Sequence, residues 1–137
     1  MQTYLRLEYA HRTELPEGHI DEIRTPPALV EHVLTELTES GDRVFDPFAG
    51  YGTTLAVAAE LGREPYGLEY EPERVGLIRD RIDDPDHVRQ GSVLESDLDW
   101  VPECECCYTS PPFMTETMER NPFRNYEGES DYERYLD

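Results

Sequence analysis

Lysine is missing from this chain: all 12 of its basic residues are arginine, set against 31 aspartates and glutamates in 137 residues. Chemistry that needs a lysine amine, whether a Schiff base or a Walker-type phosphate loop, is therefore excluded. Positive charge is scarce overall. The formal net charge of -19 makes the surface repel polyanions at low salt, which excludes a passive basic sleeve for nucleic acid. Cysteine is limited to Cys104, Cys106 and Cys107, an odd number crowded into four positions, which suits a reducing compartment and not a disulfide framework. No run approaches the roughly 20 apolar residues of a membrane span, and the first residues carry no apolar targeting segment, so no membrane partner and a cytoplasmic location are expected. Repeats and low-complexity runs are also lacking.

What is present is a folded pattern. The mean hydropathy is -0.71, yet apolar residues fall in periodic blocks between Gly and Pro punctuation, which disordered polyacids lack. A carboxylate-dense, lysine-free surface points further to a host with high internal salt, where the Debye length falls to about 3 Å at 1 M and carboxylates keep the surface hydrated.

Along the chain, Tyr4, Leu5, Leu7 and Tyr9 read as a short strand or a packed extended arm, ended by a turn at Pro16 and Gly18. Thr25 before Pro26 and Pro27 predicts an N-cap. Leu29, Val30, Val33, Leu34 and Leu37 then share one helical face as far as Ser40-Gly41. A buried strand is predicted at Arg43 to Asp46, followed by a Gly-rich turn and a helix capped by Thr53 or Thr54 and closed by Gly62. Further strands are predicted at Pro65 to Leu68, around Val88 to Gln90, and from Cys104 to Thr109; between the first two lies a helix opened by Pro72 and carrying Val75, Ile78 and Ile82. Strands alternating with helices imply an α/β fold on a parallel sheet with right-handed crossovers.

Two constellations carry chemistry. In the turn from Asp46 to Thr54, Gly50 and Gly52 let backbone approach a ligand, and the following helix presents free N–H groups. Glu69, at the end of the next strand, stands where a carboxylate grips ribose hydroxyls, so the turn reads as a nucleoside-cofactor site. A structural strand-to-helix turn is the plainer alternative. Leu55 stands where a dinucleotide fingerprint places its third glycine, which favours an adenosyl ligand.

The second constellation is Thr109-Ser110-Pro111-Pro112-Phe113. Its prolines fix φ and supply no N–H, so the carbonyls of Ser110 and Pro111 are held rigidly and left free to accept. A planar amino group donating to Ser110 Oγ and to a prolyl carbonyl, stacked on Phe113, has its nitrogen lone pair aimed at an electrophile. The alternative is a proline turn that only ends a strand.

Together, Asp46-Pro47-Phe48-Ala49-Gly50-Tyr51-Gly52-Thr53-Thr54 and Ser110-Pro111-Pro112-Phe113 resemble the cofactor and catalytic motifs of amino-group DNA methyltransferases. Thr25 through Gly41 resembles the helix these enzymes carry before the cofactor strand, so the likeness spans roughly residues 18 to 113. The resemblance implies a Rossmann-like class I methyltransferase sheet and S-adenosylmethionine as cofactor. It places Asp46, Pro47, Phe48, Ala49, Gly50, Gly52, Thr53, Thr54 and Glu69 around that cofactor, and makes Ser110, Pro111, Pro112 and Phe113 the catalytic clamp on a flipped-out base. The implied reaction is in-line transfer of the sulfonium methyl to an exocyclic nitrogen of DNA, with RNA, as in tRNA amino methyltransferases, the alternative substrate.

The resemblance further implies, from the serine in the catalytic motif, cytosine N4 in preference to adenine N6. Carbon methylation needs a cysteine directly after a proline, whereas Cys104 to Cys107 precede the prolines. Tyr51 replaces a serine common between the glycines, and Gln90-Gly91-Ser92 stands where relatives often place an acid. Only residues 114–137 follow the clamp, too few for the remaining strands of such an enzyme. The expected organisation is thus an arm (1–24), a methyltransferase domain (25–113) and an acidic aromatic tail (114–137) with a cut-off helix from Ser130. The sheet is expected to be incomplete at its C-terminal side, with a partner chain or second copy to complete it, or the chain to be an inactive fragment. Arg120 and Arg124 are candidate DNA contacts.

The cysteine cluster lacks the four ligands and spacing of a structural zinc site and reads as small hydrophobes in a strand, so no metal is expected. His11, His19 and His32 show no paired spacing, and the carboxylates from Asp83 to Asp86 read as solvated surface.

Overall fold

The computed structural model describes residues 4–18 and 24–112. The expected Phe113 contact, the tail helix from Ser130 and the arginines Arg120 and Arg124 lie outside them, as does His19. Helix α1 (Pro27–Leu37) leads into β1 (Arg43–Asp46), α2 (Thr53–Glu60), β2 (Glu64–Glu69) and α3 (Pro72–Arg79). A 3-10 turn (Pro85–His87), β3 (Val88–Gln90) and β4 (Cys106–Cys107) complete the order. The four strands form one sheet in the order β3-β2-β1-β4, and every pairing is parallel. This order, with all strands parallel, is the expected Rossmann-like arrangement.

Two buried clusters hold the helices to the sheet. Val30 and Leu34 of α1 meet Val44, Val57 and Ala58, with Cys106 and Tyr108 packed alongside. Val75 and Ile78 of α3 meet Ala49, Leu55, Ile82 and Val88. Helix α2 therefore feeds both, and each fully buried Leu or Ile contributes about 1.5–3 kcal/mol of transfer free energy. Gly67, paired with Asp46 in the middle of β2, is there for space: a Cβ would stand 2.6 Å from Leu55 Cδ2. At the far ends of α1 and α2, Arg63 donates to the Thr38 hydroxyl (2.9 Å), the Thr38 carbonyl (2.7 Å) and the Leu61 carbonyl (2.6 Å), satisfying groups that helix ends leave open.

Several expectations need correction. Thr25 does not cap α1; Pro26 occupies the cap position without a side-chain bond, because two successive prolines already impose the extended-then-helical dihedrals. The helix ends at Leu37, which is 68% exposed, since the Thr38 N–H and hydroxyl both turn back to the Leu34 carbonyl. Gly52, at φ +82, takes the cap position of α2, and Thr53 is already helical. Tyr4, Leu5, Leu7 and Tyr9 are neither strand nor packed arm: they are exposed and unpaired, because alternation makes a strand only where a neighbouring edge receives it. The segment is tied down first at Arg12, which pairs with Glu31 and, at 2.5 Å, with Glu60. Strand β4 is shorter than Cys104 to Thr109, although Glu105 N–H to the Arg43 carbonyl (3.1 Å) and Tyr108 N–H to the Phe45 carbonyl (3.0 Å) extend its ladder on both sides. Cys107 is exposed rather than buried, while Cys106 packs on the core. Among the described residues, no helix is long and apolar enough to cross a membrane.

Candidate functional site

Parallel strands β1, β2 and β4 send their carboxyl ends to one rim, and that topology gathers the two motifs. Asp46 ends β1 and is 3% exposed. Its Oδ1 accepts from the Phe48 N–H (3.0 Å) and from the Thr109 hydroxyl (2.7 Å), and Thr54 is buried in the first turn of α2. Burial pushes the Asp46 carboxyl above its ordinary range, opposed by those hydrogen bonds. The Asp46 side chain is thus committed to shaping the turn.

Within the turn, the Ala49 N–H reaches the Leu68 carbonyl (2.9 Å) and the Gly52 N–H closes on the Ala49 carbonyl (2.8 Å). Ala49 is buried, and Pro47 and Phe48 are half-buried. Gly50 and Gly52 sit at φ +57 and +82, dihedrals that exclude most side chains. Their surroundings differ. A Cβ on Gly50 meets nothing nearer than the Phe48 carbonyl at 4.0 Å, so the backbone is open to an incoming ligand; one on Gly52 would stand 2.7 Å from Ile78 Cγ1, so α3 presses directly on the turn. The first N–H groups of α2, beginning at half-buried Thr53, are those that a helix start leaves without intrahelical partners.

Glu69 ends β2 and is also buried. One carboxylate oxygen accepts from the Gly50 N–H at 2.6 Å and the other from the Glu71 N–H at 2.9 Å. Arg74 approaches at 3.8 Å and lays its guanidinium 4.7 Å over the Tyr51 ring. Burial raises the Glu69 carboxyl, and the two backbone donors and Arg74 oppose the shift. Tyr51, the residue between the glycines, is thereby built into the wall, with its carbonyl accepting from Arg81 at 3.3 Å. Each Glu69 oxygen keeps lone-pair capacity for a diol, so an open glycine, a helix start and an anchored acid form a donor set that fits an adenosyl sulfonium.

Beyond β4, Ser110 and Pro111 are exposed and Pro112 is half-buried. The structure brings this segment to Asp46 through Thr109. Sequence reasoning did not assign roles to Thr109 or Arg74: side-chain ties across 63 residues or onto the next helix leave no local periodicity. Arg12, Arg24 and Arg81 line a shallow cavity with Gly52 and Thr53 beside the turn, and each guanidinium already has protein partners. Burial pushes the Cys104 and Cys106 thiols up, which keeps them in the less nucleophilic form at neutral pH. Among the described residues no group of side chains is arranged to hold a metal ion.

Comparison with known proteins gives this geometry relatives. The DNA methylase family of N6 and N4 enzymes matches residues 4–80. The type II methyltransferase M2.DpnII of Streptococcus pneumoniae is 40% identical over 58 residues, covering 42% of this chain and 22% of that protein. M.BglII of Bacillus subtilis is 41% identical over 61 residues, covering 44% of this chain and 17% of that one. The matched stretch is thus about a fifth of those relatives' length. Among solved structures, a provisionally assigned RNA methyltransferase of Pyrococcus horikoshii superposes with a TM-score of 0.54 at 24% identity, over 66% of this chain and 46% of that one, a likeness of fold.

Proposed function

The chain belongs to the N6/N4 DNA methylase family, and from that premise we propose that it transfers a methyl group from S-adenosylmethionine to an exocyclic base amine of DNA, cytosine N4 in preference to adenine N6. One observation carries the reading: the strand order places Asp46, Glu69 and Ser110 at the carboxyl ends of parallel neighbours, the rim where open α/β sheets bind ligands.

When bound, the sulfonium supplies an electrophilic methyl group. The rest falls to the chain. Gly50 admits the ligand against bare backbone, the start of α2 faces its polar end, and Glu69 accepts from its ribose. The Ser110 hydroxyl and the Pro111 carbonyl accept the two amine protons of a base, pre-positioning the nitrogen for attack. On methylation the nitrogen held by Ser110 and Pro111 would shed one proton to solvent. Phe113 completes the clamp by stacking. The aspartate at position 46 holds the turn.

RNA is the second reading, supported by the fold shared with the Pyrococcus protein. The test incubates the full chain with methyl-labelled cofactor and either DNA or tRNA, at low and molar salt, and identifies the labelled nucleoside. N4-methylcytosine in DNA is expected. Label confined to tRNA moves the substrate to RNA. Cofactor binding by calorimetry without transfer to either replaces the enzyme with a fragment. The exposed β4 edge, bonded within the sheet only to β1 among the described residues, is where a partner chain or second copy would complete the sheet in that case.

A further inference from the structure

The backbone ladder between β1 and β4 stops one residue short of where the site needs it. Its last bond runs from the Tyr108 N–H to the Phe45 carbonyl, and Pro111 and Pro112 have no N–H with which to continue. Past that point the attachment to β1 passes to a side chain: Thr109 Oγ1 donates to Asp46 Oδ1 at 2.7 Å. The same oxygen accepts the Phe48 N–H at 3.0 Å. A single buried carboxylate is therefore the shared anchor of the glycine turn and the stretch that carries Ser110.

We infer that Thr109 is a positioning residue: through the Asp46 carboxylate its hydroxyl sets where the Ser110-Pro111 acceptors stand relative to the glycine turn. The inference rests on the transfer reading above and adds to it the element that aligns the two halves of the reaction. A packing role alone does not need the hydroxyl, because Val44 and Cys106, Phe45 and Cys107, and the Tyr108 N–H already pair the strands. Alignment does need it. Beyond Tyr108, the rigid prolines transmit any rotation at residue 109 directly to the acceptors.

The test compares Thr109→Val, which keeps the shape and removes the donor, with Thr109→Ser, which keeps the donor. In the full chain, Thr109→Val is expected to stay folded and to bind cofactor within about twofold of the parent, melting modestly lower because the buried Asp46 carboxylate loses one donor but keeps the Phe48 N–H. Its kcat is expected to fall roughly 10- to 100-fold, the scale of a 1 Å misplacement, and Thr109→Ser to recover most of it. Unchanged kcat, or a loss of cofactor affinity matching the loss of kcat, overturns the inference. Absence of transfer by the parent protein refutes the transfer reading instead, and the tie is then read by amide exchange. Faster exchange of the Phe48 and Tyr108 N–H groups in Thr109→Val than in Thr109→Ser supports it, and equal exchange overturns it.

Discussion

From Asp46 to Thr54 the chain spends its polar groups on itself. Asp46 takes two donors on one oxygen, Glu69 takes the Gly50 and Glu71 N–H groups, and α3 presses Ile78 against Gly52. From Ser110 to Pro112 the chain lies at the surface, and the tie just before it is one threonine hydroxyl. Both segments serve one rim. On the proposed reading the difference follows from what each would admit: a cofactor pocket gains from being formed in advance, whereas a base has to enter and leave, so stiff proline dihedrals with a free surface suit the acceptor side.

That contrast breaks most visibly at Gly52. In Gly52→Val a β-branched side chain is forced to φ +82 and into Ile78, and strain plus overpacking is expected to cost about 3 kcal/mol or more, read as a lowered urea midpoint. Glu69→Ala comes next. It strips the acceptor from two backbone donors beside the buried acid, for about 1–3 kcal/mol, and cofactor affinity measured by calorimetry is expected to fall with it.

A smaller effect appears in pH dependence. Burial raises the Asp46 and Glu69 carboxyls above their ordinary values of 3.8 and 4.5, so across the window from those values upward the folded state holds more protons than the unfolded chain. Stability from these two groups therefore declines as pH rises through that window and stays at its lower level above it. Asp46→Asn removes one titrating group. The stability of the parent relative to this variant, followed by urea unfolding from pH 7 down to pH 4, is expected to grow as the pH falls; a difference independent of pH contradicts the assigned direction.

Much of this was legible in advance where local rules suffice. Strand β1 occupies Arg43 to Asp46 as expected, because a short apolar run bounded by Gly41 and Pro47 leaves little choice of limits. Val88 to Gln90 and the opening of α3 at Pro72 are equally local. The signal failed where a partner decides. Leu5, Leu7 and Tyr9 alternate like a strand but meet no edge, and Thr25 has capping chemistry that the following prolines make redundant. Arg74 over Tyr51, like Thr109 on Asp46, depends on which strand ends lie side by side, and that is a property of sheet order.

The smallest stability effect is expected on the acceptor side, and there it separates the two segments most sharply. Ser110 is exposed, and no strand pairing rests on its hydroxyl. Ser110→Ala should therefore leave the unfolding free energy within about 0.5 kcal/mol of the parent, as surface changes remote from packing do. Loss of a hydrogen-bond acceptor for the reacting amine should nevertheless lower kcat by roughly 10- to 100-fold, with cofactor affinity unmoved. Stability and function thus part company at Ser110, whereas at Glu69 stability and cofactor affinity fall together. A Ser110→Ala protein that unfolds early would mean that the acceptor stretch is as structural as the turn, and that the division between a formed pocket and an open clamp is mistaken.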